Sequence, residues 1–234
     1  MKDFIASIMI VAAMVMVPAC ATPPVGRPTQ SAAPEDFLQT RIANVNFKDA
    51  NLWDVVPFLA YAVINSSRPL PLNTWRDESA FGPRFTLKTN AVTIAEVLEE
   101  VVRQTQCVYV MTNNALFVGS TTNALRLAVT PPLRDPEEED LTDRLNRKLT
   151  LFACMANPHD LLSYIMSEGG IPVDAMQTHI QPGLVTPAVN QMQWRDFIWW
   201  YTALCTDGTP STRGEAIWIR TKKEPNQSID SDEE

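Results

Sequence analysis

Three short blocks of sequence occur twice in this chain of 234 residues, in the same order and about 100 residues apart. The first block keeps an alanine, an asparagine and an aspartate at identical positions, and the other two keep their pattern of apolar residues. The matched ranges are 50–59 with 156–165, 85–98 with 185–198, and 115–118 with 216–219. Ordered recurrence of this kind predicts two copies of one structural unit.

The spacing of apolar residues within each copy predicts a small unit of strands and helices. In the first copy, 45–47 and 85–87 alternate like strands, and the apolar residues of 52–63 have the spacing of a helix. A second helix over 94–102 and a hairpin over 108–118 complete the unit.

The second copy follows the same order. Asn157 is placed to cap its first helix, and Pro158 stands at the first helical position, where a missing N–H costs nothing. The proline-rich stretch 68–83 of the first copy is interpreted as a loop. We therefore predict an α+β fold of two small βαββαβ-like modules in tandem, over 41–122 and 146–223, each a short sheet packed by two helices.

Two acidic runs lie outside the predicted modules. One covers 135–140, and the other ends the chain after residue 229. Charge blocks of this kind are usually solvated and do not join a core. The sequence therefore predicts an acidic linker over 123–145 and an acidic disordered tail over 224–234.

The overall charge argues against one class of partner. The formal net charge is -8 and the pI is about 4.8, while 45% of the residues are hydrophobic. Binding to nucleic acid phosphates requires a basic face, so nucleic acid is excluded as an expected partner. The apolar fraction is ordinary for a globular protein with a packed core.

The first nineteen residues have the pattern of a signal peptide. From Phe4 to Val17 the chain is almost wholly apolar, which is too short for a helix that spans a bilayer, since that needs ~20 residues. Val17-Pro18-Ala19-Cys20 resembles the lipobox of bacterial lipoproteins. The resemblance implies cleavage after residue 19 and attachment of lipid to Cys20. The alternatives are an ordinary signal peptide with a coincidental cysteine, or a transmembrane anchor.

A tether follows the predicted lipidation site. The range 20–40 begins with four prolines among small residues, a composition typical of an extended linker. Ala21, rather than aspartate, follows Cys20. By resemblance to the sorting pattern of bacterial lipoproteins, this favours the outer membrane and a domain that faces the periplasm.

The first module resembles the short N-terminal domain of secretins and TonB-dependent transducers. The resemblance lies in Asn46–Val55, in Phe85–Leu87 followed by Val97–Val102, and in the closing hairpin; it extends more weakly to the second module. In that family these domains contact other proteins or stack into rings, and no catalytic residue belongs to the pattern. The resemblance therefore implies a protein-binding role.

The sequence contains no recognisable catalytic or metal-binding motif. The two histidines, His159 and His179, have no partner at the spacing of zinc ligands, and His159 is predicted to lie on the surface at a helix start. Ser163 has no nucleophile elbow around it, and no glycine-rich phosphate loop is present. We predict no catalytic residue, no metal and no cofactor.

Three cysteines remain besides Cys20. Cys154 and Cys205 belong to the same predicted module and are the candidate pair for a disulfide in an oxidising compartment, with Cys107 left over. The alternative is buried free thiols, which behave as small apolar groups.

An aromatic helix in the second module provides the candidate partner contact. Trp194, Phe197 and Tyr201 share one helical face, and the consecutive Trp199 and Trp200 point about 100° apart. Trp199 is predicted to be partly exposed because its helical neighbours are small or polar, whereas Trp200 is drawn inward. Core packing, contact with a protein partner and stacking on carbohydrate are the three interpretations of this pair.

The leading functional hypothesis is a lipid-anchored, periplasm-facing adaptor that binds an envelope protein, with a secretin-type secretion or pilus assembly as a plausible setting. The alternative is an envelope enzyme or carbohydrate-binding lipoprotein that uses a groove between the modules.

Overall fold

The computed structural model describes four parts of the chain. These are residues 37–62, 73–77, 84–112 and 115–221. The predictions for the signal peptide, Cys20 and the acidic tail lie outside these residues. Among the described residues, no helix is long and apolar enough to cross a membrane.

The described chain is a mixed α/β structure with six helices and ten strands in three sheets, consistent with the predicted α+β class. The helices are α1 (Leu52–Ala62), α2 (Ile94–Thr105), α3 (Thr121–Val129), α4 (Glu139–Asn146), α5 (Pro158–Ser167) and α6 (Trp194–Cys205). The strands are β1 (Arg41–Ala50), β2 (Asn73–Asp77), β3 (Phe85–Thr93), β4 (Val108–Thr112), β5 (Ala115–Gly119), β6 (Lys148–Phe152), β7 (Val173–Gln177), β8 (Val185–Gln193), β9 (Gly208–Arg213) and β10 (Ala216–Thr221).

The local signals in the sequence account for several of these elements. Thr93 and Glu96 form a reciprocal capping box at the start of α2, so two free N–H groups of the first turn are satisfied. Asn157 caps α5 by accepting a hydrogen bond from the His159 N–H, with Pro158 at the first position, as predicted.

The strand pairing is the same in the two halves of the chain. In the first half β1 pairs antiparallel with β3, β2 runs parallel to β5, and β4 and β5 form a hairpin. In the second half β6 pairs antiparallel with β8, β7 runs parallel to β10, and β9 and β10 form a hairpin. Each half thus has the order β-α-β-β-α-β-β.

The sequence interpretation missed β2 and β7, the strands that follow the first helix of each half. β2 lies within the stretch 68–83 that was expected to be a loop. Its sequence, NTWRD, has no alternation of apolar residues, yet all five residues are buried. Burial comes from strands on both sides and from the cores above and below, which local pattern does not encode.

An uncommon backbone conformation recurs at equivalent places in the two halves. Residues other than glycine rarely adopt positive φ. The two matched pairs are Asp49 with Met155 and Ala91 with Gln191, with φ between 51° and 55°. The Asp49 N–H donates to Thr86 Oγ1 at 3.0 Å, and the Met155 N–H donates to Thr186 Oγ1 at 2.9 Å. The same bend is therefore held by the same hydrogen bond in both halves.

The halves are joined through a shared sheet. β2 of the first half pairs antiparallel with β8 of the second, with Arg76 opposite Thr186. This pairing produces a five-stranded sheet in the order β4-β5-β2-β8-β6. One apolar cluster belongs to the first half, while the larger cluster combines the second half with Trp75, Ala115 and Phe117 of the first.

The segment 123–145 is not an unpacked linker, so that prediction is wrong. It contains most of α3 and of α4, and four of its leucines are buried in the larger core. These are Leu127, Leu133, Leu141 and Leu145. Their spacing places them on one side of the segment, and the acidic residues face solvent on the other. The segment is therefore amphipathic, although its many charged residues suggest a solvated linker.

The packing of this segment gives a direct prediction. Leu141→Ala is expected to reduce the free energy of unfolding by about 2–4 kcal/mol, because it leaves a cavity under α4. Leu125→Ala is the matched control, since Leu125 is 62% exposed on α3. Urea denaturation of both variants measures the difference. Equal, small effects would mean that the segment does not pack as described.

Candidate functional site

The aromatic helix α6, which supplied the candidate partner contact, is buried. Trp199 is 6% exposed and Trp200 is fully buried, so the prediction that Trp199 is partly exposed is wrong. The indole N–H of Trp199 donates to the Thr130 carbonyl at 3.2 Å, in the segment that follows α3. That segment therefore covers the face of α6 that was expected to meet a partner.

Every residue from 197 to 205 is buried. Helices α3, α4 and α5 and strands β8 and β9 all contact α6. A helix enclosed on several sides accepts apolar residues around its whole circumference. The wide aromatic face thus serves the core, and neither Trp199 nor Trp200 offers a surface to protein or carbohydrate.

An aromatic stack fills the junction between the halves. The Trp75 ring, from β2, lies parallel to the Trp200 ring at a centroid distance of 5.9 Å and an interplanar angle of 9°. The Phe197 ring contacts Trp75 at 5.1 Å. Because this stack and the β2–β8 pairing occupy the junction, the groove required by the carbohydrate-binding alternative is absent at this place in the described chain.

Several ionisable groups are buried beside the stack. Burial raises the pKa of the Tyr201 hydroxyl, and the nearby Cys205 adds to the shift. Burial also raises the pKa of the Cys205 thiol, with a smaller contribution from the Asp77 carboxylate. Both groups therefore remain protonated and unreactive at neutral pH.

The predicted disulfide between Cys154 and Cys205 is not formed. Cys205 is a free thiol at the end of α6, fully buried in the core, whereas Cys154 lies exposed in the loop after β6. The pairing was predicted because both residues belong to the same half. In the structure one side chain lies in the core and the other at the surface. Cys107 is also a buried free thiol.

The Tyr201 hydroxyl gives a second prediction. It is buried without a hydrogen-bond partner among the described residues. An unsatisfied buried hydroxyl costs about 1–3 kcal/mol, so Tyr201→Phe is expected to raise the free energy of unfolding by about 1 kcal/mol. Chemical denaturation measures the change. A destabilised Tyr201→Phe variant would show that the hydroxyl has a partner.

The outer surface of the second half presents an exposed strand. Among the described residues, β7 lies at the edge of its sheet and pairs with β10 alone. Met176, the fourth of the five residues of this strand, is 93% exposed. An edge strand of this kind offers backbone groups to which another strand can bond.

Charged and aromatic side chains surround this edge. Arg220 on β10 forms a two-point ion pair with Asp174 on β7, with N–O distances of 2.8 and 3.2 Å. Hydrogen bonds from Arg220 and then from the Met176 N–H lower the pKa of Asp174. Arg220 and Arg213 both lie over the Trp218 ring, at 4.2 and 4.7 Å from its centroid. Alternation along Ala216–Thr221 places Trp218 and Arg220 on this outer face, a signal that was present in the sequence.

A second edge without a partner strand lies in the first half. Among the described residues, β3 pairs with β1 alone. The Gln104 side chain on α2 bonds both backbone groups of Thr86: its Oε1 accepts from the N–H and its Nε2 donates to the carbonyl, each at 3.1 Å. Hydrogen bonds from Arg103 and then from Gln104 lower the pKa of Glu100 to about 2. This edge is thus covered by a side chain instead of a strand.

No group of three or more His, Cys, Asp or Glu side chains is placed to hold a metal ion in the part of the chain that the structure describes. His159 is exposed at the start of α5, as predicted, and His179 is exposed as well. The concave surface near α4 is a shallow depression lined by Asp140, Asp143 and Arg144 among others. The geometry that stands out is therefore that of strand edges.

Comparison with protein-family models, with curated proteins and with solved structures finds no match for this chain.

Proposed function

We propose that this chain is a lipid-anchored, periplasm-facing envelope lipoprotein that acts as a protein–protein interaction adaptor. It consists of two tandem modules of the type found at the N-termini of secretins and TonB-dependent transducers. The observation that carries the proposal is the junction at β2 and β8, where one module binds another by adding a strand to its sheet.

The modular part of the proposal draws on the repeated topology. Both halves have the same strand pairing and the same left-handed bend held by a threonine hydroxyl. These shared features support the duplication inferred from the three sequence blocks. A duplicated module presents equivalent surfaces. A strand edge that pairs with another strand in one half therefore suggests that the equivalent edge in the other half can also bind a strand.

The binding part of the proposal draws on the exposed edges. An exposed methionine on β7 lies beside an arginine–tryptophan cluster on β9 and β10, and all three residue types are favoured at protein interfaces. Strand addition gives affinity through backbone hydrogen bonds, and the flanking side chains give specificity. A secretin-type secretion or pilus assembly is a setting in which such an adaptor would operate.

The membrane anchor is tested with Cys20→Ser in the full chain. The unaltered chain is expected to incorporate a labelled fatty acid and to sediment with membranes, and the variant should lose both properties. Cys154→Ser is the matched control, because Cys154 is an exposed cysteine far along the sequence. Fatty-acid labelling and membrane association of Cys20→Ser at the level of the control would contradict the anchor.

The adaptor role is tested by affinity purification of the tagged full chain from native membranes after mild crosslinking. We expect another envelope protein to be recovered in an amount comparable to the tagged chain. Quantitative mass spectrometry measures this ratio. Recovery of the tagged chain without any other protein at such a ratio would contradict the adaptor role.

A further inference from the structure

The junction between the halves shows how one half of this chain binds the other. β2 pairs with the first part of β8, and Thr74, Arg76 and Asp77 lie opposite Ala188, Thr186 and Val185. The backbone of residues 185 and 187 bonds to the β6 side of the sheet, at Ala156 and Ala153. Because backbone groups alternate along a strand, those of Thr186 point to β2.

The equivalent of β2 in the second half is β7. In the first half Trp75 lies opposite Phe117, and in the second Asp174 lies opposite Trp218. Phe117 and Trp218 occupy the same place in the repeated block 115–118 and 216–219. Arg76 and Asp77 therefore correspond to Ala175 and Met176. Consistent with this match, Ala175 faces the core of its half, and Met176 faces outward.

The equivalent of β8 in the first half is β3. Thr86 and Thr186 each accept the hydrogen bond of the preceding left-handed bend, which fixes the correspondence. Thr186 lies opposite Arg76 in the pairing of β2 with β8, whereas the backbone of Thr86 forms hydrogen bonds with the Gln104 side chain. The residue that corresponds to Gln104 in α6 is Leu204, which cannot bond the strand and leaves the edge of β8 to β2.

We propose that β7 of one copy of this chain pairs antiparallel with β3 of a second copy and so repeats the internal β2–β8 junction between molecules. The internal register places Ala175 opposite Thr86 of the second copy and Met176 opposite Phe85 of the second copy. This inference rests on the proposed function, in which the exposed edges are binding surfaces, and it names the occupant of one of them.

The charges around the two edges fit this arrangement. Asp174 is the equivalent of Trp75, and Glu100 is the equivalent of Trp200. The stack of Trp75 on Trp200 inside the chain therefore corresponds, between molecules, to an approach of Asp174 and its partner Arg220 to Glu100 of the second copy. Helix α2 carries three glutamates and one arginine, and Arg213 beside Trp218 has no ion pair among the described residues. An acidic helix face therefore meets an arginine-bearing sheet face, which favours this orientation over others.

Gln104 controls access to the junction. The Gln104 amide must leave Thr86 before a strand can add, and Glu100 helps to hold that amide in place by accepting a hydrogen bond from Gln104 Nε2. Because the β7 and β3 surfaces are different, each added copy leaves one of each open. Repetition then generates a closed ring or an open filament, according to whether the rotation between successive copies closes.

The inference is tested by photo-crosslinking of the full chain in cells. A benzophenone amino acid replaces Met176, and the expected product is a covalent adduct of two copies in which the label is attached to residues 84–105 of the second copy. The matched control places the same amino acid at Phe152, which is 64% exposed at the end of β6, an edge strand that the inference does not use. This control should give no two-copy adduct.

A double variant combines the label at position 176 with Gln104→Leu, because leucine is the residue that the second half has at the equivalent position, Leu204. It should raise the yield of the two-copy adduct about tenfold, since side chain–backbone hydrogen bonds no longer compete with the incoming strand. Absence of an adduct, an adduct that maps elsewhere on the second copy, or equal yields from positions 176 and 152 would overturn the inference. An adduct with a different protein would overturn self-association while it supports the adaptor role, so the two proposals fail separately.

Discussion

Trp75→Ala is expected to reduce the free energy of unfolding by about 3–5 kcal/mol, because the indole is fully buried and its removal leaves a large cavity. Trp75 belongs to the first half in sequence, but its ring stacks on Trp200 and contacts Phe197 of the second half. The substitution should therefore destabilise both halves. Urea denaturation measures its size, and amide hydrogen exchange should become faster in α6.

Trp218→Ala is the control for Trp75→Ala. Trp218 occupies the outer face of its sheet, where it contacts two arginines, so its removal should cost only about 1 kcal/mol. Exchange that accelerates in the first half alone after Trp75→Ala would show that the halves unfold independently. Such a result would contradict the shared core.

Trp199→Ala is expected to cost about 3–5 kcal/mol of stability, as for other large core residues. The ring packs between α6 and the segment that follows α3, and its N–H bonds the Thr130 carbonyl. The same variant distinguishes core packing from contact with a protein partner, two of the three interpretations that the sequence left open. A partner-binding tryptophan would leave stability nearly unchanged and weaken complex formation by ~2 kcal/mol or more.

Trp199→Phe separates the two contributions of the residue. It keeps an aromatic ring in the core but removes the hydrogen bond to Thr130, so we expect a loss of about 1 kcal/mol. Denaturation midpoints of the two variants, measured together, give both contributions. If Trp199→Ala unfolds at the same denaturant concentration as the unaltered chain, the described cover over α6 is wrong.

Helices α1, α2, α5 and α6 and the caps of α2 and α5 could be predicted from sequence because each depends on nearby residues. The capping box at Thr93 and the cap at Asn157 are contacts within one helical turn. The exposed position of His159 also followed from its place at a helix start. Signals of this kind survive in any tertiary context, so they needed no knowledge of the other half.

The candidate site was mistaken because the cover over α6 comes from a distant part of the chain. The leucines of 123–145 have an amphipathic spacing, but the acidic run beside them suggested a solvated linker. If that segment is unpacked, no other residue predicted from sequence covers Trp199. The two errors therefore have one cause.

The recurring sequence blocks predicted two matched halves, each with strands and two helices, and the capping residues predicted where several of those helices begin. The assembled fold was needed to show that β2, with one apolar residue, becomes a strand and joins the sheet of the other half. A strand's backbone bonds are made with residues remote in sequence, so its identity and its neighbour depend on the assembled fold. The same reason explains why Thr186 receives a strand while Thr86, its equivalent, receives the side chain of Gln104.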